Sequence, residues 1–401
     1  MPCDIITAFS FEPQLGLRRL DSRSNSSLPA RKLLDRGPMP IGHKTVCSLG
    51  GAMEKASVLE LKGEVLKSLW AQTAQRAGTQ AQSLVNPHID SRLAVGYSQK
   101  KKNDYQLELR VQRQQGSAYK QALMYKEKAK QEANIEVVPS IEIPSKAAVF
   151  DLSGQKGLIV KKEPLHIGVS VGHSDGGAGT LGAFVSDEKG NTCVLSNNHV
   201  LALMGQAELD DHIYHPGRPD KPLLRATNQI ARLSNYIIIM RNDRNPADAA
   251  IAVLDEEVSH ESNRIPEGLG FPSAGAMIKE AASLEDLYEL LKKNQSVCKI
   301  GRTTGHTEGR IGAVALDNIT VKTAIGNVVF DNVIEVNWES NRKPFSKPGD
   351  SGSMVYTKDG LWAVGLHFAG GEKKVGGKRL GVSYSCNMIT ILQTLDVSLL
   401  D

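Results

Sequence analysis

Three short segments of this 401-residue chain carry side chains suited to acyl transfer. KPGDSGSMV sets Ser351 among glycines, VLSNNHVLA brings His199 to the end of an apolar run, and PADAAIAVLD puts Asp248 just ahead of another. Cleaving an amide with a serine takes a hydroxyl, a base for its proton, and donors for the oxyanion that forms on the carbonyl. Ser351 offers the hydroxyl, His199 the base and later the acid, and Asp248 a carboxylate that accepts the Nδ1–H and fixes the tautomer. The glycines of GDSGS let the backbone turn sharply, so that the N–H groups of Gly349 and Ser351 can point at one spot, an oxyanion hole. A side chain at Gly349 would crowd that turn. The order His, Asp, Ser is one of three chain orders in which such triads occur. Taken singly, a strand histidine and a turn aspartate are commonly structural; GDSGS together with them is what gives them a role.

These groups need a scaffold, and the pattern around them is mainly β. From about residue 150 to 401 the chain is a series of short β-type runs punctuated by glycine, including HIGVSVGHS, CVLSNNHVLA, AAIAVLD, RIGAVAL, GSMVYT and LWAVGLHF, the texture of an all-β barrel or sandwich. SLEDLYELLKKNQ interrupts it as a helix, and CNMITILQTLDVSLL reads as a closing helix. Upstream, residues 1–52 are rich in Ser, Arg, Pro and Gly without a period, which predicts a disordered leader. Residues 53–85 begin helically, with Val58, Leu61, Val65, Leu66 and Leu69 at three- and four-residue spacings; translation starting at Met53 fits this pattern as well as Met1. Residues 86–146 read as a small β-β-α-β domain: strands SRLAVGYS and YQLELRVQR, a helix GSAYKQALMYKEKAKQEA turning Tyr119, Ala122 and Leu123 inward, and a strand NIEVVPSIEIP. Lys100, Lys101 and Lys102 ahead of Asn103 and Asp104 have the composition of a solvated hairpin tip.

Composition narrows the function classes. The formal charge is +4, so nucleic acid is an unlikely partner. No apolar run reaches the ~18 residues of a membrane span, and the first twenty residues lack the basic start and apolar core of a secretory signal. The five cysteines are odd in number and scattered, suggesting neither a disulfide framework nor a zinc site; the expected setting is cytoplasmic. His166, His173 and His306 do not fall at metal-ligand spacing, and His306 reads as part of a polar turn. SDGGAGTLG lacks the Lys-Ser/Thr pair of a phosphate loop, so neither metal nor cofactor is expected.

Taken together, the segments around His199, Asp248 and Ser351 resemble the trypsin-like (chymotrypsin-fold) serine peptidases over residues 150–401. KIGRTTGHTEGRIGAV, from Lys299, is similar to the strand and turn opening the second barrel in bacterial members. Cys193 has no cysteine after His199 to pair with, which agrees with an intracellular enzyme. The resemblance implies a double six-stranded antiparallel β-barrel with the site between the barrels, preceded here by the small α+β unit, and a serine endopeptidase acting through an acyl-enzyme. It implies a specificity pocket formed by residues just before the nucleophile, Phe345 and Ser346, and by the strand GLHFAGG with His367 and Phe368. Phe345 stands where trypsin-type members carry an acidic floor, so preference for Lys or Arg loses its Coulomb partner. His367 lies in a context similar to that of glutamate-specific members, with Ala369 extra; an acidic side chain and a small or aliphatic one are the two expectations for the residue before the cut bond. No chain start resembles those that activate secreted zymogens, which implies restraint or recruitment of the peptidase by a protein partner through residues 53–146. The competing class is a catalytically silent or scaffold protein of the same fold.

Overall fold

The computed structural model describes residues 52–79, 93–143, 158, 164–223, 228–241, 243–375 and 377–401. The expected leader, apart from residue 52, lies outside the described residues. Two curled sheets make up the body. The first contains β5 (Ser170–His173), β6 (Gly179–Thr180), β7 (Ala183–Asp187), β8 (Thr192–Ser196), β9 (His212–His215), β10 (Asn228–Tyr236) and β12 (Ala250–Leu254). They pair in the order β7-β8-β12-β10-β9-β5-β6, and the last strand, β21 (Val397–Leu399), adds to β7. Hydrogen bonds from Leu181 N to Val169 O (2.9 Å) and from Gly168 N to Leu181 O (2.8 Å) draw the ends of this sheet together. The run AIAVL of β12 is apolar throughout because this strand has strands on both edges and core on its inner face.

The second sheet closes as a ring. β13 (Ser296–Gly301), β14 (Gly305–Asp317), β17 (Val333–Trp338), β20 (Lys378–Asn387), β19 (Ala363–Val375) and β18 (Met354–Thr357) each pair antiparallel with the next, and β18 returns to β13. The fold is therefore mainly β with two barrels, as the sequence implies. β15 (Ile319–Thr323) and β16 (Gly326–Phe330) form a hairpin whose outer edge takes β11 (Arg244–Asn245) from the first half. The helices fall where the pattern places them, at Leu284–Leu290 with Ser283 as its cap, and at Met388–Leu395 with an apolar buried face. His306 does not sit in a turn: it is in β14, opposite Ile300.

The N-terminal segment is built into this body. α1 (Lys55–Thr79) lays Val58, Leu61, Val65, Leu66 and Leu69 in the core, on β1 (Leu93–Lys101) and β2 (Asp104–Val111). α2 (Ser117–Lys128) and β3 (Ala133–Val137) follow, then the short β4 (Ile141–Glu142). The β1–β2 hairpin turns at Asn103, in the left-handed region at φ 60°, and Lys100 pairs with Glu132 and Asp104. In α2, Ala122 and Tyr125 are buried while Leu123 is 41% exposed, so the inward face is one residue around from the expected one. Among the described residues, the strands between 93 and 143 do not form a sheet of their own. β1 pairs with β14, β3 and β4 pair with β19, and β4 also runs parallel to β15. The reason is a buried charge cluster. Arg110 of β2 bridges Glu335 of β17 (2.7 and 2.8 Å) and Glu108 (3.0 Å), while Lys373 of β19 takes Glu136 (2.7 Å) and Asn337 (2.5 Å). Charges this deep stay only if partnered, so the two regions cannot separate without stranding them.

Candidate active site

A single helical turn, Asn198–Leu201, carries His199 directly after β8. Asp248 sits two residues before β12, the neighbour of β8, which brings the carboxylate under the imidazole. Asp248 is fully buried; its Oδ2 lies 2.6 Å from His199 Nδ1 and its Oδ1 accepts the His199 backbone N–H at 3.1 Å. Two bonds to one residue fix both the ring and its backbone. The aspartate is itself tied down: Asn197 Nδ2 donates to its carbonyl (2.7 Å), and its N–H points at Cys386 Sγ (3.2 Å). Burial and the Asp248 charge hold the Cys386 thiol well above its ordinary pKa, so it remains a neutral acceptor.

Ser351 comes from the loop between β17 and β18. Thr180 N donates to Ser351 O (2.8 Å), so the loop of the second barrel docks on β6 of the first. A Cβ placed on Gly179 would meet both Val200 Cγ2 (2.5 Å) and Ser351 O (2.8 Å). The residue after the histidine and the backbone of the serine thus converge on one glycine. Among the described residues no hydrogen bond joins the Ser351 hydroxyl to the imidazole, as is common before a substrate tightens such a site. Gly349 has φ +99°, and a Cβ there would overlap Arg302 Nη1 and Thr303 Oγ1, so only glycine fits.

The loop is held by charge. Asp350 is fully buried and accepts from Lys347 N (2.9 Å), Thr303 N (3.0 Å), Thr304 N (3.1 Å) and Thr304 Oγ1 (2.7 Å), with Lys299 Nζ at 3.2 Å. Burial alone would push its carboxyl up; Lys299 and these donors bring it below the ordinary aspartate value. Burial pulls the Lys299 ammonium down while Asp350 opposes that. Beside this pair, Arg302 grips Asp220 of the first half through Nε (3.0 Å) and Nη2 (2.8 Å), and Thr180 Oγ1 donates to Gly349 O (2.9 Å). Two cations from one strand and the turn after it therefore set the Ser351 loop and its seat on the first barrel. Sequence reasoning passed over both. A signal existed for Lys299, a single lysine inside the apolar strand run SVCKIG; Asp220, in a polar stretch, gave none.

A cleft of about 440 Å³ opens beside Ser351, lined by Ser346, Lys347, His367, Phe368, Ala369 and, from the N-terminal segment, Ser140. Ser346, His367 and Phe368 thus line one cleft with Ser351. Phe345 does not: it is absent from the lining and fully buried in the second core cluster, where Lys299 Nζ stands 5.6 Å over its ring. His367 is buried, and desolvation, reinforced by the Lys299 charge, pulls its pKa down to about 3. Its ring is bonded to the Tyr384 backbone, and Nδ1 has no partner. A neutral ring whose Nε2–H is spent on a carbonyl presents Nδ1 as an acceptor. That arrangement suits a hydrogen-bond donor rather than a carboxylate.

No family model matches this chain. Protein NARROW LEAF 1 of Oryza sativa subsp. japonica is 28% identical over 190 residues, covering 44% of this chain and 31% of that protein. The chain thus spans about a third of the length of this curated relative. Among solved structures, a Nocardiopsis protease overlaps 59% of this chain and 98% of its own at 15% identity and a TM-score of 0.40. Thermobifida fusca protease A overlaps 59% and 97% at 15% identity and 0.38, and a glutamic acid specific serine protease 59% and 100% at 16% and 0.39. Among the described residues no three His, Cys, Asp or Glu side chains group to hold a metal ion, and no helix is long and apolar enough to cross a membrane.

Proposed function

We propose that this protein is a serine peptidase that hydrolyses peptide bonds through an acyl-enzyme. The observation that carries the reading is the doubly bonded His199–Asp248 pair standing at the same inter-barrel contact as the Ser351 loop. In the first step Ser351 Oγ bonds to the substrate carbonyl carbon while its proton passes to His199 Nε2. The C–N bond then breaks as that proton moves to the leaving amine, and water repeats the sequence to free the acid. Asp248 keeps Nδ1 protonated so that Nε2 faces the hydroxyl, and the N–H groups of Gly349 and Ser351 receive the oxyanion. The site works in a reducing compartment, the cytoplasm, consistent with the free thiols of Cys193, Cys298 and Cys386.

Labelling with a fluorophosphonate tests this reading. The wild-type chain should label at Ser351, and Ser351→Ala and His199→Ala should not; turnover of a peptide library should fall by ~10⁶ in either variant. A Ser351→Ala protein that cleaves at the wild-type rate refutes the assignment, and a wild type that never labels favours the scaffold class.

A further inference from the structure

β19 forms one side of the cleft beside Ser351. At its start it frames the nucleophile: His367 N donates to Ser353 O (2.9 Å) and Gly352 N donates to His367 O (2.8 Å). From there it runs away from Ser351 along the cleft, through Phe368 to Lys374. One edge of β19 is taken by β20 from Gly365 to Val375, with a bulge between His367 and Ala369. The opposite edge is taken by β18 up to Leu366, by β4 at Gly370 and Gly371, and by β3 at Lys374. Between the nucleophile loop and β4, Phe368 and Ala369 are the stretch of that edge without a paired strand among the described residues, and a bulge in the pairing with β20 falls there.

Extended peptides bind sheet proteins by adding a strand to a free edge, and β4 already shows the antiparallel direction on this one. A peptide laid the same way runs toward Ser351, so the part lying on β19 is the part before the cut bond. At ~3.3 Å per residue the unpaired stretch is about 7 Å long, the length of two residues, and Phe368 and Ala369, 0% and 1% exposed, border the cleft with little of their surface open to it.

β4 is firmly seated. Ile141 and Ile143 are buried in the first core cluster, and Ile143 N donates to Lys322 O (2.9 Å) of β15 on the far side. Gly371 is pressed against it, since a Cβ there would overlap Ser140 O. Pro139, Ser140 and Glu142 themselves line the cleft.

We propose that Pro139–Glu142 is a specificity-determining wall that ends main-chain pairing after about two substrate residues. The substrates it fits are those recognised by the two or three residues next to the cut bond, not by a long extended segment. This rests on the peptidase reading above and names the substrate class of that same cleft.

A length series tests it: N-acetyl peptide p-nitroanilides with one to five residues, all ending in the residue that a library selects. In the wild type kcat/KM should climb to the second or third residue and then stay flat within about twofold. A further rise above about fivefold at the fourth and fifth overturns the proposal. Gly371→Ala, which must lift Ser140, should restore a gain with length of at least fivefold between three and five residues. Amide exchange at residues 370–371 reports whether β4 has lifted. A lifted strand with an unchanged length profile also overturns the proposal. Failure to label with the fluorophosphonate would instead remove the peptidase reading and this inference with it.

Discussion

Replacing Lys299 by Met removes the ammonium 3.2 Å from Asp350 and leaves the carboxylate in a site with no solvent contact. Breaking a buried pair from one side costs about 3–5 kcal/mol, because the remaining charge is uncompensated. Asp350 keeps four hydrogen bonds from Lys347, Thr303 and Thr304, so the loss should lie near the lower end, about 3 kcal/mol, or a melting temperature lower by roughly 4 °C for a body of about 350 residues that gains about 2.1 cal/mol/K per residue on unfolding. The sign with pH is specific. In the wild type Asp350 is held below its ordinary value of 3.8, so its contribution is present above that pH and lost as pH falls through the lower folded value. Without Lys299, burial pushes the carboxyl up, and protonation relieves the variant. The deficit relative to wild type should therefore be largest at neutral pH and shrink toward pH 3.8. Lys299→Met combined with Asp350→Asn removes the stranded charge and should recover most of the stability. Thermal unfolding from pH 7 to 4, with fluorophosphonate labelling rates beside it, reads all three proteins. A Lys299→Met chain within about 0.5 kcal/mol of wild type, or a deficit that does not change with pH, would refute the argument that this lysine holds the nucleophile loop.

Other consequences follow from the same geometry. Asp248→Asn keeps the volume but loses the acceptor at Nδ1 (2.6 Å); labelling should slow by ~10³–10⁴ with little change in melting temperature, and a loss under tenfold would contradict the orienting role. Arg110→Met takes the guanidinium from three carboxylates, Glu108, Glu136 and Glu335. Burial would push Glu335 up, but Arg110 and Lys373 hold it at about 2, so wild-type stability from this group is present above 4.5 and lost as pH falls toward 2. The variant should lose ~3 kcal/mol at pH 7 and much less at pH 3, measured by thermal unfolding at both. His367, neutral above about 3, should put no step near its ordinary value of 6.5 into the pH profile. A peptide library should show no enrichment of Asp or Glu before the cut bond; such enrichment would reverse the reading of the ring as an acceptor.

Local patterns were legible where local physics decides. The strand runs around His199 and Asp248, the glycine that the φ +99° turn demands, and the stripe on α1 all follow from neighbours within a few residues. Phe345 was misplaced because counting back from the serine assumes the loop's path, whereas this ring faces the Lys299 ammonium inside the core. The pattern points Leu123 inward because the helix has small and apolar residues on more than one side; which face is covered depends on β2 and β3, not on the helix alone. The partners of Asp350 were invisible for a related reason. An ion pair between residues 51 apart in sequence leaves no periodicity, only an unexplained lysine in a strand.

The partners of the N-terminal strands are hidden from the sequence by the same physics, and this decides how the N-terminal segment can be studied. β-type runs show that strands exist but not which edge they join. Arg110, Glu136, Glu335 and Lys373 supply that information in three dimensions, through contacts that sequence separates by more than 200 residues. Deleting residues 53–146 to test recruitment would take Arg110 from the buried Glu335 and Glu136 from the buried Lys373, leaving those two the looser pair they make with each other at 3.6 Å, and would take away the Ser140 wall of the cleft. Such a deletion would report on folding before it reported on partners. Substitutions at the exposed Leu123 and Met124 leave the buried cluster intact, so a change in partner binding there would be attributable to the surface itself.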